Sequence, residues 1–355
     1  MTPKPLLTRI VLLASVACVP LCAQTPLFTD GGAFGGSKVF SEGMNPLGNQ
    51  ARVSEAPAGY YFTYVDGDQR AKDNKSILSD AASADPAAAS SALNRLANAP
   101  WALRTRGYGF AAIKSSATLA LTREELNGIM AHTDLRAADL GASLGANGSY
   151  LDGRRATVDR LSLGGGGPVD TGMSWGGGLR LERWAKGEQT VNFASQGGFG
   201  DPDSSLLGTT ATTIRTLNVA VDLGMTMDLA DGVRIGATAD QLNAKHLWDV
   251  YLQPQFRAGL QIDLGHSTKV SVEGDVNAAA RMPFPEKQQA LVASLRFAIS
   301  PATVFILGAE QRKIDTTSVT SIGATLQINT SALLLSFGFQ AGQDNPMKGL
   351  TLMVK

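Results

Sequence analysis

Beyond Cys22 the 355-residue chain contains no cysteine; Cys18 and Cys22 are the only two. Once both leave with an N-terminal leader, disulfides, thiolate metal sites and a cysteine nucleophile are excluded, and stability must come from packing and backbone hydrogen bonds. Three histidines, His132, His246 and His266, are too scattered along the chain to suggest a metal centre. Charged residues make up only 17% of the chain and the formal net charge is +0, so no basic face is available for nucleic acid. Past the leader no apolar run approaches the roughly 18 to 20 residues of a spanning helix. Aromatic residues are also sparse, at 6%.

Residues 1–23, MTPKPLLTRIVLLASVACVPLCA, join a basic start (Lys4, Arg9) to a short apolar core and a small residue, Ala23. This is the form of a secretory signal peptide. Lipoprotein processing at Cys18 or Cys22 and a retained anchor are the alternatives.

From residue 201 onward the dominant pattern is alternation. In VAVDLGMTMDLADGVRIGATADQLN, residues Val219, Val221, Leu223, Met225, Met227 and Leu229 share one face, while Asp222, Thr226 and Asp228 share the other. The same reading places Asp240, Arg257, Asp263, Glu273, Asp275, Arg296, Glu310 and Arg312 on polar faces backed by Leu, Ile, Val and Phe. Two environments can bury such apolar faces: the core of a soluble sandwich, or lipid.

The connections discriminate between them. Short turns near Asp231, His266, Pro301 and Thr330 alternate with longer ones at Ala244 to Gln253, Ala278 to Gln288, Lys313 to Thr317 and Gly342 to Met347. An up-and-down barrel puts all its short turns at one rim, whereas a Greek-key sandwich has no reason to. Strand lengths of about 9 to 11 residues also suit a tilted membrane crossing better than the soluble average of about 5 or 6. The fold expected is therefore an all-β, transmembrane, antiparallel up-and-down β-barrel in the outer membrane of a Gram-negative bacterium. The polar faces become its lumen lining, where charges of both signs can pair across strands. The partners this implies are outer-membrane lipid and, during biogenesis, the barrel-assembly machinery. Aromatic girdles are only partly drawn: Trp248, Tyr251 and Phe256 cluster at a long-loop end, and Trp175 and Trp184 suggest two rims.

The first half is less regular. Strands are expected in GYYFTYVDGD and GYGFAAIKSSATLALT, with helical insertions near 75–99 and 122–140. The second rests on a capping box, Thr122 with Glu125. The glycine runs 164–167 and 176–178 lack the lysine and the strand-loop-helix setting of a phosphate loop, and are read as flexible loops or points of close backbone approach. Asp263 near His266 is the nearest thing to a catalytic pair, but a hairpin turn divides them. No enzyme chemistry and no cofactor is expected.

The strands VDLGMTMDLADGVRIGATADQLN, QPQFRAGLQIDLG, VSVEGDVN and ILGAEQRK, preceded by the glycine-rich, Asn-Pro-containing segment GGAFGGSKVFSEGMNPLGNQAR, resemble the FadL-like outer-membrane transport superfamily, and within it the conjugal-transfer TraF-like barrels. The resemblance covers most of the mature chain. It implies a monomeric barrel of about 14 strands, give or take roughly two, with an N-terminal segment in the lumen and, in some members, passage of small hydrophobic molecules. Carried onto this chain, it suggests a plug over 24–58, with Phe34, Phe40, Asn45 and Pro46 as candidate residues, and a barrel over 59–355. A non-transporting accessory barrel of a conjugation or secretion apparatus, and a secreted soluble sandwich, stay as alternatives.

Overall fold

Alternating residues of unlike polarity settle as strands wherever their backbone groups find partners on both sides. The computed structural model describes residues 37–40, 48–70, 91, 102–132, 150–192, 214–265, 267–281, 284–314, 317–342 and 347–355. Its strands are β1 Gly59–Arg70, β2 Ala102–Lys114, β3 Ala117–His132, β4 Tyr150–Asp170, β5 Met173–Asn192, β6 Ile214–Ala230, β7 Val233–Asp240, β8 Lys245–Leu247, β9 Val250–Leu252, β10 Gln255–Gly265, β11 Thr268–Asp275, β12 Ala279–Arg281, β13 Phe284–Ser300, β14 Thr303–Ile314, β15 Thr317–Asn329, β16 Leu333–Gly342 and β17 Met347–Val354. A 3-10 turn, Gln50–Glu55, precedes β1, and the Asn49 side chain caps it by accepting from the Ala51 amide.

Successive barrel strands pair antiparallel, and the first closes on the last, from Tyr60 opposite Val354 to Gly67 opposite Met347. Among the described residues the result is a closed barrel of 14 strands, in which β11 pairs directly with β13. Strands β8 and β9 form a separate small hairpin, and β12 is a short addition beside β13. Closure removes the sheet edges, as a backbone surrounded by hydrocarbon requires.

Tight connections gather at one rim, between β2 and β3, β4 and β5, β6 and β7, β10 and β11, β13 and β14, and β15 and β16. Gly172 and Gly232 hold φ of 78° and 74° in two of them, and the register shifts between Asp228 and Ala230 beside the second. A turn closed by a left-handed residue and a bulge favours glycine there. Most connections at the opposite rim are long. The one expected to span Lys313 to Thr317 is not, since only residues 315–316 separate β14 from β15.

The helix expected over 122–140 is not formed in its described part: Thr122 to His132 belongs to β3. Its capping-box residues also fit a strand of period two. Thr118, Ala120, Thr122 and Glu124 are buried on one face, while Leu119, Leu121 and Arg123 are exposed on the other. Pairing with β2 and β4 satisfies the backbone on both sides, and this outweighs the local cap. Residues 133–140 lie outside the described residues, as does the insertion near 75–99 apart from Ser91, and so does the leader 1–23. Both glycine runs are strand rather than loop: Gly164, Gly165 and Gly166 of β4 stand opposite Gly178, Gly177 and Gly176 of β5.

The two faces of the wall have opposite chemistry. Outward, the strands expose Phe62, Leu121, Leu163, Leu181, Val219, Leu223, Leu260, Leu295, Leu307, Ile322, Phe337 and Leu350. Inward, they bury Thr63, Glu124, Ser162, Glu182, Thr226, Asp240, Arg257, Glu273, Glu310, Thr325, Ser336 and Thr351. A soluble domain does not leave so continuous an apolar surface uncovered, whereas a lipid-facing barrel must.

Candidate functional site

Every second residue of β4, taken from the long-loop rim downward, samples the lumen in layers. Asp152 and Arg154 come first, then Ala156 and Val158, then Arg160, then Ser162, then Gly164 and Gly166. Strand β5 repeats the sequence in reverse, with Gly176 and Gly178, Arg180 and Glu182, Trp184, then Lys186 and Glu188. Two charged tiers thus enclose an apolar one, and a floor without side chains lies beneath.

The apolar tier is a packed cluster at the long-loop end. Ala156, Val158 and Trp184 of the wall pack with Leu247, Val250 and Leu252 of the β8–β9 hairpin and with Ala280, flanked by Leu126 and Trp248. The hairpin is folded inward against the wall. Asp249 at its tip accepts from Arg154 Nη1 at 2.6 Å and from Lys186 Nζ at 2.7 Å, and the Lys186 ammonium lies 5.7 Å from the centre of the Trp248 ring. Burial pushes the Asp249 carboxyl up, but these two hydrogen bonds outweigh it and hold the group below its ordinary value.

Beneath the cluster, ion pairs link strand to strand. Arg160 contacts Glu124 at 2.6 Å and Glu182 at 3.0 Å, and Arg180 reaches Asp222 at 2.7 Å. Glu182 also accepts from Trp184 and Asn218. On the other side of the barrel, Arg257 pairs with Glu273 at 2.9 Å and with Asp275 at 2.7 Å, and Arg312 with Glu310 at 2.9 Å. Guanidinium groups suit this position because their planar fork can serve two carboxylates at once.

The segment before β1 sits on the glycine floor. A Cβ added at Gly164, Gly166 or Gly176 would overlap Gln50, one at Gly224 would strike Asn49, and one at Gly236 would strike Val39. Close approach, the second of the two readings of these runs, is therefore what they serve. The short turn Ser37 to Phe40 is held by Glu273, whose carboxylate accepts the Ser37 hydroxyl and the amides of Lys38 and Val39. Lys38 adds an ion pair with Asp240. Asn49 donates to the carbonyls of Val39 and Met225, and Val53 packs beside Tyr61, Ile113 and Met353. Nearer the short-turn rim, Arg234 joins Glu55 of the 3-10 turn, at 3.2 Å, to Asp228 of the wall.

Most residues expected to face the lumen come together in these contacts: Asp222, Asp240, Arg257, Glu273, Asp275, Glu310 and Arg312. Asp263 and Arg296 stand apart, bordering a polar recess of about 800 Å³ at the short-turn mouth with Arg52, Arg234 and Lys269. Of the expected plug residues, Phe40 is buried against the wall, while Phe34, Asn45 and Pro46 lie outside the described residues. Trp184 marks no rim: it is buried in the apolar cluster, whereas Trp175 is exposed near the short turns. His266, and with it any pairing to Asp263, lies outside the described residues, and His246 packs against Tyr251 with the two rings tilted.

Sequence reasoning misses Glu124, Arg154, Arg160, Arg180, Glu182 and Lys186. For four of them a signal is present: Arg160 opens RLSLGGGG just before the glycine run, and in LRLERWAKGE Arg180, Glu182 and Lys186 share one face with Trp184. The seat of Ser37 to Val39 on Glu273 has no sequence signal, being a contact across more than two hundred residues.

No protein-family model and no curated protein matches the sequence. Solved structures do share the fold. The toluene transporter TbuX of Ralstonia pickettii superposes with a TM-score of 0.54 at 10% identity, covering 94% of this chain and 97% of that one. The toluene transporter TodX of Pseudomonas putida gives 0.51 at 12% identity, covering 95% and 98%. The monoaromatic hydrocarbon channel CymD gives 0.52 at 10%, covering 93% of each. At such identities the likeness is one of fold, over nearly the full length of both chains.

Proposed function

We propose that the protein is a FadL-like outer-membrane channel for small hydrophobic molecules, working as a monomer and inserted by the barrel-assembly machinery. In this reading residues 1–23 are a cleaved leader, 24–58 a plug, and the apolar cluster the first station for a molecule arriving from the long-loop side. The observation that carries it is the apolar cluster itself. Trp184, Val158, Leu247, Val250 and Leu252 pack together inside the lumen between two charged tiers, and such a surface favours an apolar guest over a polar one. The likeness in fold to two toluene transporters and a hydrocarbon channel supports the same substrate class.

The test is toluene uptake into proteoliposomes by the full mature chain and by a chain lacking residues 37–49. Faster uptake after deletion is expected; equal rates would remove the plug from the account, and no uptake by either would remove the channel.

One observation favours a second reading, a non-transporting barrel of a conjugation or secretion apparatus, as in TraF-like proteins. The ion pairs of Arg160, Arg180 and Arg257 line the lumen beneath the apolar cluster, where an apolar molecule would have to pass charge. A stable partner co-purifying with a barrel that passes no toluene would decide for it.

A further inference from the structure

The outer wall changes character at one level. Across β1 to β6 a groove of about 870 Å³ has a floor built by Phe62, Phe110, Leu121, Leu161, Leu181 and Leu217. On its long-loop side three arginines project from neighbouring strands. Arg123 stands opposite Asp159, Asp159 opposite Arg183, and Arg215 lies one diagonal step from Arg183, whose own cross-strand partner is Leu217. Asp159 pairs with Arg123 at 3.2 Å. Elsewhere on this wall Arg106 has Asp66 at 3.0 Å and Arg155 has Glu125 at 3.0 Å. Among the described residues, Arg183 and Arg215 alone of these outward arginines have no ion pair, so three guanidiniums share a single carboxylate.

Two adjacent, exposed guanidiniums repel each other unless an anion lies between them, and a phosphate matches their planar forks. Beside them lies the apolar floor, which in a membrane meets acyl chains. We propose that this groove binds a phosphate-bearing lipid of the leaflet at the long-loop side, its acyl chains on Leu181, Leu217 and their neighbours and its phosphate between Arg183 and Arg215. The proposal rests on the membrane-barrel reading but not on transport, since both arginines face away from the lumen.

Native mass spectrometry of the full mature chain in detergent, with diphosphorylated lipid A as probe, tests it. The wild type and the control Arg106→Gln are expected to retain the lipid, and Arg183→Gln with Arg215→Gln to bind it roughly tenfold more weakly. Toluene uptake should be the same in all three. Equal retention by the double variant, equal retention of the dephosphorylated lipid, or displacement by inorganic phosphate alone would overturn the site. If the wild type shows no heat-modified gel mobility and needs no detergent, the membrane reading itself falls, and this one with it.

Discussion

Nη1 of Arg257 lies 2.9 Å from Oε1 of Glu273, and the same carboxylate oxygen accepts the backbone amide of Lys38. One ion pair therefore both braces β10 against β11 and ties the N-terminal segment to the wall. Glu273→Ala leaves Arg257 with Asp275 and frees the Ser37 to Val39 turn. Loss of one partner of a buried pair costs about 3 to 5 kcal/mol, here shared between the wall and the N-terminal segment. The expected outcome is faster proteolysis of the N-terminal segment and higher toluene uptake, with heat-modified mobility retained. Glu273→Gln should be milder, because its amide keeps one acceptor. Unchanged proteolysis in the alanine variant would show that the turn is held by something else.

On the glycine floor, Gly176→Leu places a side chain where the Gln50 backbone now lies, and the opposed backbones of β4 and β5 leave it no other space. The 3-10 turn should be displaced while the barrel still closes. Gly177→Leu, one residue along, points outward toward Leu223, with no backbone of the 3-10 turn in reach. A Val53→Cys background probed with a maleimide reads the difference, because Val53 is buried against the wall when the turn is seated. Labelling should rise with Gly176→Leu and stay low with Gly177→Leu.

Membrane placement rests on which face meets lipid. Leu223 is 44% exposed on the outward face of β6, and its neighbour Asp222 turns inward to Arg180. Leu223→Arg should cost about 2 to 4 kcal/mol near the bilayer midplane and reduce the assembled barrel, whereas Asp222→Asn should assemble. The comparison is read by heat-modified electrophoresis of the membrane fraction. Equal yields would place that face outside hydrocarbon.

The β8–β9 hairpin carries a pH dependence of predictable sign. Since Asp249 titrates below its ordinary value when docked, its stabilisation is complete at neutral pH and is lost as pH falls through the lowered value, beneath the range of a free aspartate. Single-channel recordings in planar bilayers should show longer openings in that acidic window. Asp249→Asn should show them already at neutral pH, with no further change on acidification. A variant whose openings still lengthen in acid would shift the effect to another group.

Much of this architecture is legible in the sequence, but unevenly. On β6, β10 and β11 the apolar set is rich in Leu, Val and Ile and the polar set carries charge, so period two stands out and assigns Asp222, Arg257, Glu273 and Asp275. Strands β4 and β5 hide the same pattern, because glycine occupies both faces where the N-terminal segment docks and Val158 and Trp184 are apolar yet point inward. Thr122 and Glu125 give a local helix signal that pairing with two neighbouring strands overrides. The contacts of that segment are beyond reach because Glu273 and Ser37 meet only once the whole wall exists.

The closing seam has a further consequence. Tyr60 meets Val354, so the pairing that seals the barrel joins strands from the two ends of the chain and involves the longest loop closure the sheet contains. The segment holding Gln50 lies immediately before that first strand, and its contacts are spread over β4, β5, β6, β7 and β11. The strand that seals the barrel is thus tethered directly to a segment whose anchors lie on strands far from the seam. Seam and segment are therefore coupled: a shift of β1 along β17 pulls on the contacts that Gln50 and Asn49 make with the glycine floor.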